Sequence, residues 1–195
     1  MTDAPIPGRR ERKKAATRQA IADAALELFV ARGYDAVTVR DIAEKADVST
    51  TTLFKHFSGK EAFVFDREDD VRAELERAVR ERSSGQSILD ALRANALTHW
   101  VAIASDPQLE PLETLIAATP ALRQYEERMW ARHATALGTV IADELGRDPD
   151  DLASAALARF VLDIPTLAAG RPDPASTVDQ LFDMLVNGWR EQLVD

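Results

Sequence analysis

Apolar positions along this chain recur at spacings of three and four, and nowhere alternate at two. The spacing predicts a helix from about Arg12 to Arg32, with Ile21, Ala24, Ala25, Leu28 and Phe29 on its buried face and Gly33 as its left-handed stop. Val39, Ile42, Ala43 and Ala46 then mark a helix of about two turns. Thr38 stands before it as an N-cap, with Asp41 an imperfect capping-box partner. Asp47-Val48-Ser49 breaks the pattern, and Ser49 caps a further short helix carrying Leu53, Phe54 and Phe57. Ser58-Gly59 closes this small three-helix unit.

A helix over Lys60–Arg82 is expected next: Ala62–Phe65 is apolar, and Val71, Leu75 and Val79 follow at spacing four. Residues 87–105 place Ile88, Leu92, Ala96 and Trp100 in one row, and Asp106-Pro107 ends that helix. Further helices are predicted over Leu109–Thr119, Ala121–Leu145, Pro149–Ala169 and Ser176–Leu193, with a kink near Phe160–Val161 from Pro165. The last two carry wide apolar faces. The fold class is therefore all-α, with about nine helices.

Charge divides the chain more sharply than hydropathy. The 195 residues carry a net charge of −9, unfavourable for a polyanion partner. Residues 1–60, however, hold 11 Lys/Arg against 8 Asp/Glu, whereas residues 61–195 hold 13 against 25. Arg9, Arg10, Arg12, Lys13, Lys14 and Arg18 form a basic arm suited to phosphates or a minor groove. Such a division predicts a nucleic-acid module at 1–60 and a different module at 61–195. The absence of Cys removes disulfides, thiolate nucleophiles and Cys-ligated metal. With no signal peptide and no run of eighteen apolar residues, a cytoplasmic protein outside the membrane is expected.

The two short helices leave Thr50, Thr51, Thr52, Lys55 and His56 with few apolar duties. Hydroxyls and bases on a short exposed helix suit the base edges and phosphates of a major groove, although a helical hairpin with a solvated face has the same pattern. Farther along, His99, Trp100, Tyr125, Met129, Trp130, His133 and Phe160 supply the aromatic, apolar and occasional polar groups of a small-molecule pocket; packed core is the competing account. Catalysis has little support, since no Ser-His-Asp order, His-x-x-x-His, Glu-x-x-His or glycine-rich phosphate loop occurs. A helical enzyme using His99 or His133 with Glu113, Glu126 or Asp163 is the alternative. No metal site or cofactor is expected.

Thr17-Arg18 and the run Ala24–Ala62, AALELFVARGYDAVTVRDIAEKADVSTTTLFKHFSGKEA, resemble the DNA-binding domain of the TetR family of bacterial transcriptional regulators. The likeness covers about a quarter of the chain and combines three motifs. These are Leu-Phe-x-x-x-Gly-Tyr, Thr-Val-x-x-Ile-Ala and Leu-Phe-x-x-Phe-x-x-Lys-Glu. KEAFVFDREDD is similar to a subset of these regulators with acyl-CoA-like ligand domains.

The resemblance implies DNA contacts from Arg18, Thr38, Arg40, Ser49, Thr50, Thr51, Thr52, Phe54, Lys55, His56 and Lys60. It further implies a homodimer on a pseudo-palindromic double-stranded DNA operator, with Leu157, Val161, Ile164, Val178, Leu181, Phe182, Leu185 and Trp189 at the mate. The function it implies is a repressor released by a small hydrophobic or acyl-type effector; an activator, or a regulator without effector, stays open. Two positions depart from the family pattern: Phe54, where Tyr is usual, and Asp47, where a Gly turn is usual.

Overall fold

The computed structural model of the chain describes residues 8–101, 106 and 109–188. Among the described residues there is no strand. The α-helices are α1 (Arg9–Arg32), α2 (Val39–Lys45), α3 (Thr50–Phe54), α4 (Glu68–Arg80), α5 (Ile88–Asn95), α6 (Glu110–Ala118), α7 (Pro120–Glu144), α8 (Leu152–Ala168) and α9 (Pro174–Asn187). The all-α expectation of about nine helices holds.

The helices gather into two compact units, one taking in the residues up to Arg67 with Pro111–Tyr125, the other Glu68–Glu110 with the residues from Glu126 on. In the first, α1 buries Ile21, Ala22, Ala25, Leu28 and Phe29 against Ile42 and Ala43 of α2, Leu53 of α3 and Phe57. Leu122 joins this core, and Leu112, Leu115, Ile116 and Ala121 pack on it from α6 and the start of α7. A division at residue 60 leaves that contribution out. The second unit is built on Leu75 and Val79 of α4, Ile88 and Leu92 of α5, Leu137 and Ile141 of α7, Val161 and Ile164 of α8, and Val178 and Phe182 of α9.

Three elements differ from their expected form. First, α1 begins at Arg9, so most of the basic arm forms its opening turns, with the Gly8 N–H donating to the Glu11 carboxylate at 3.0 Å. Second, the helix expected from Lys60 is interrupted: a 3₁₀ turn spans Glu61–Phe63, and α4 starts only at Glu68. Ala62, Phe63 and Val64 are all buried. Consecutive apolar residues point in different directions around an α-helix, so a tight turn sinks this run into the first unit better than a straight helix does. Third, α5 passes into a π-helical turn, Ala96–Trp100, in which the Val101 N–H donates to the Ala96 carbonyl. Pro165 lies within α8, which runs on to Ala168.

Within the second unit α7 and α8 approach at Gly138. A Cβ there would lie 3.2 Å from the Ala155 Cα, so glycine is what permits this approach.

The residues expected at a dimer interface are largely core of their own chain. Val161, Ile164, Val178 and Phe182 are buried within the second unit, while Leu157, Leu181 and Leu185 pack partly against it. Trp189 lies outside the described residues. The apolar side chains that α8 leaves exposed are instead Leu152 (82%), Phe160 (57%) and Leu167 (55%), with Val186 on α9. The stripe read as one face is split by the helix twist: one edge fills the unit and the other meets solvent.

Candidate nucleic-acid interface and effector site

The first candidate site rests on two capped helices, the first of them capped reciprocally. Thr38 Oγ1 accepts from the Asp41 N–H at 3.2 Å, and the Thr38 N–H donates to the Asp41 carboxylate at 2.7 Å. The Thr38 hydroxyl donates to the same carboxylate at 2.6 Å. These bonds hold the Asp41 carboxyl below its ordinary pKa. The box is complete, and it commits both Thr38 donors to Asp41 rather than leaving them free for phosphate. Ser49 caps α3 by accepting from the Thr52 N–H at 3.0 Å, with the two hydroxyls 2.8 Å apart.

The turn between α2 and α3 is closed by Asp47 at φ 51°. Aspartate enters the left-handed region more readily than most residues, which is how the turn survives without the glycine usual there.

With Ser49 and Thr52 joined to each other, the exposed residues of α3 and its end are Thr50, Thr51, Phe54 and Lys55, and Arg40 is exposed on α2. Phe54 is 58% exposed on a helix of five residues, whereas Leu53 and Phe57 are buried beneath it. The outer face thus offers two hydroxyls, an aromatic ring and two cations. Such a set can meet thymine methyls, base-edge acceptors and phosphates.

Three expected DNA contacts sit otherwise. Arg18 turns inward: its guanidinium donates to the His56 carbonyl and, at 2.8 Å, to the Asp66 carbonyl, and lies 4.3 Å from the Phe57 ring centroid. Lys60 donates to the Tyr34 carbonyl, with its ammonium 4.0 Å from the Tyr34 ring centroid. Burial lowers the Lys60 pKa. Both cations are engaged by backbone carbonyls at the edge of the core and do not extend from the exposed face as expected. His56 is half-buried with an unpartnered Nδ1. Burial, then Lys14 and Arg18, pushes its pKa down.

The expected pocket residues scatter. Trp100, on the π turn, packs against Trp130 of α7 with ring centroids 5.1 Å apart. Trp130 in turn meets His133 edge-on at 5.4 Å. Met129 is buried on the same helix. The Trp130 side chain donates to Glu126, whose pKa is raised by burial and by Glu127. His133 is 1% exposed and neither ring nitrogen has a hydrogen-bond partner.

The other pocket candidates lie elsewhere. Tyr125 stacks on Phe65 in the first unit at 5.2 Å. Phe160 is on the surface. His99 lines an open cleft of about 390 Å³ between α4 and α5, with Arg77, Glu81, Arg82 and Thr98. Three of the seven therefore come together, Trp100, Trp130 and His133, with Met129 buried one turn before His133 on α7. Sequence reading missed the ion pair of Arg132 with Glu68, 2.5 Å, which joins α7 to α4 beside this cluster; no local periodicity signals it. No group of His, Asp and Glu among the described residues forms a metal site, and no described helix is long and apolar enough to cross a membrane.

A family model described as "Bacterial regulatory proteins, tetR family" matches residues 21–66, which include the capped helix pair. The HTH-type transcriptional regulator TcmR of Streptomyces glaucescens is 31% identical over 153 residues, 74% of this chain and 67% of that protein. Among solved structures, NalD, the secondary repressor of the MexAB-OprM multidrug efflux pump in Pseudomonas aeruginosa, superposes with a TM-score of 0.61 at 23% identity, covering 90% of this chain and 96% of NalD. SmeT in its triclosan complex gives 0.58 at 21% identity, covering 88% and 90%. At these identities the two structures establish the fold.

Proposed function

This chain belongs to the TetR family of bacterial transcriptional regulators, and from that premise we propose that it is a ligand-responsive, dimeric repressor of a pseudo-palindromic operator. The observation that carries the DNA reading is the exposed set Arg40, Thr50, Thr51, Phe54 and Lys55 on two capped helices over a buried core. The chain is a regulator and not an enzyme, like TcmR.

One such module spans too few base pairs for a specific affinity, which is why two copies on a two-fold site are needed. Leu152, Phe160 and Leu167 on α8 and Val186 on α9 supply the apolar face for the second copy, on the two helices that the family resemblance assigns to that task. Sedimentation of a Phe160→Glu variant tests this: a monomer with unchanged helicity is expected.

The effector site is the Trp100, Met129, Trp130 and His133 cluster. Its neighbour Arg132 is paired with Glu68, the first residue of α4, which follows directly on the end of the DNA-reading unit. An effector seated there bears on the start of α4 and biases the separation of the two reading heads. A hundredfold difference in operator affinity between two conformers needs only about 3 kcal/mol of differential effector binding. A gel shift with the DNA upstream of its own gene tests the whole reading. Binding that weakens with salt and with effector supports it, and absence of binding at low salt overturns it.

A further inference from the structure

Among the described residues of the second unit, His133 is the most deeply buried polar side chain and the one whose hydrogen bonding is least satisfied. At 1% exposure, both Nδ1 and Nε2 lack partners. A buried imidazole left this way destabilises the chain unless something completes it, because its polar atoms have lost water without gaining a partner. The groups facing it from the elements packed around it are Glu68, Asp69 and Arg72 of α4 and Arg132 of its own helix. Glu68 and Arg132 are engaged with each other, and none of the four bonds the ring.

The surroundings say what kind of molecule would complete it. Over the imidazole stand Trp130 and then Trp100, both half-buried, with Met129 buried alongside. Trp130 has its own acceptor in Glu126 and is satisfied. The π turn Ala96–Trp100 is what brings the Trp100 ring to this position. Two indoles and a thioether favour flat, polarisable surface.

A neutral imidazole offers one N–H donor and one acceptor nitrogen. Burial, the largest influence on His133, holds it neutral at neutral pH. A carboxylate ligand would need it protonated, and would also stand near Glu126. A hydroxyl needs only the acceptor nitrogen.

Resting on the effector reading above, we infer that the effector is a planar aromatic molecule carrying a hydroxyl group, its rings against Trp100 and Trp130 and its O–H donating to His133. This departs from the acyl-type effector suggested by KEAFVFDREDD. It also sets aside the α4/α5 cleft, whose Arg77, Glu81 and Arg82 suit a polar ligand.

The test titrates the full chain with naphthol, naphthalene and decanoate, and runs a gel shift on the same samples. Naphthol is expected to bind about tenfold more tightly than naphthalene, and more tightly than decanoate. His133→Phe should bring naphthol down to the affinity of naphthalene while raising the melting temperature of the free protein, since an unpaired polar ring is removed. Should that variant fail to fold, the imidazole nitrogen resonances of His133 in the unaltered chain are read instead; naphthol should shift the acceptor nitrogen and naphthalene should not.

Equal affinities for naphthol and naphthalene, tighter binding of decanoate, an unmoved His133 resonance, or no binding of any probe overturns the inference. If DNA binding persists in those cases, the regulator reading survives alone. If DNA binding is itself absent, it is that reading that fails.

Discussion

The Lys60 ammonium lies 4.0 Å from the centroid of the Tyr34 ring and donates to the backbone carbonyl of that same residue. The Phe29 ring, packed against Tyr34 with centroids 5.0 Å apart, lies 5.5 Å from the same ammonium. A cation facing two rings and bonded to a carbonyl of the α1–α2 link holds the end of the helix pair onto α1. Contacts of these kinds contribute about 0.5–2 kcal/mol each. Lys60→Met should therefore lower the denaturant midpoint by the equivalent of about 1–3 kcal/mol and leave the salt dependence of DNA binding per folded molecule unchanged. Lys55→Ala should do the reverse, with stability unaltered and the slope of log K against log salt reduced by about one. Equal loss of slope in both variants would mean that Lys60 leaves Tyr34 to reach a phosphate.

Thr51 and Phe54 are both exposed on α3. Thr51→Ala and Phe54→Ser are expected to change operator preference by about 1–3 kcal/mol at individual base pairs. Thermal stability should stay within about 0.5 kcal/mol of the parent. Selection of preferred sites from a random pool checks this: unaltered preferences with uniformly weaker binding would reassign both residues to phosphate or sugar contact.

Asp47 occupies φ 51° in the turn between α2 and α3. Glycine enters that region without the Cβ penalty. Asp47→Gly should stabilise the protein by about 0.5–1 kcal/mol, measurable as a rise in melting temperature. A fall would indicate that the Asp47 side chain stabilises the turn by more than its backbone costs.

Gly138 lets α7 approach the Ala155 backbone, where a Cβ would stand at 3.2 Å. Gly138→Val forces the helices apart and should destabilise by about 1–3 kcal/mol through overpacking. Gly138→Ala should cost less, because a small shift accommodates one methyl and alanine is the better helix former. An alanine variant as damaged as the valine one would show that the two helices cannot yield at all.

His56 and His133 both have pKa values pushed below the ordinary histidine range, chiefly by burial. A base with a depressed folded pKa binds fewer protons than its unfolded counterpart. Stability is then fully present above the unfolded value of about 6.5 and is lost as pH falls below it. The unfolding free energy should decline on acidification from about pH 6.5, well before Asp41 and Asp151 begin to titrate. Denaturant titrations across that range check it, and His133→Phe should flatten the decline. An unchanged slope in that variant would assign the pH dependence to other groups.

Much of the DNA-reading unit is legible in the sequence, because its signals are local. The N-caps Thr38 and Ser49, the periodic face of α1 and the strained turn at Asp47 each depend on residues within a few positions. Helix capping and periodicity act over that distance. Aromatic content equally groups Trp100, Trp130 and His133, though it does not select which of seven candidates meet. The interruption after Lys60 is less legible, since Ala62–Phe65 is apolar in either a helix or a turn. Only burial of three of the four against the first unit distinguishes them.

By itself, then, the sequence determined that the chain is helical, where most helices start and stop, and which short helix carries the exposed hydroxyls. Tertiary structure decided the fates of the long and the amphipathic side chains. Arg18 and Lys60 turn inward because carbonyls 38, 48 and 26 residues away come within their reach. Val161 and Ile164 are buried while Phe160 is exposed, because the other helices cover only one edge of α8. His133 is left without a partner because the groups that surround it are not those its spacing would suggest. A flexible cation, or a residue at the margin of an apolar stripe, has two environments of similar local favourability. Desolvation by distant parts of the chain selects between them.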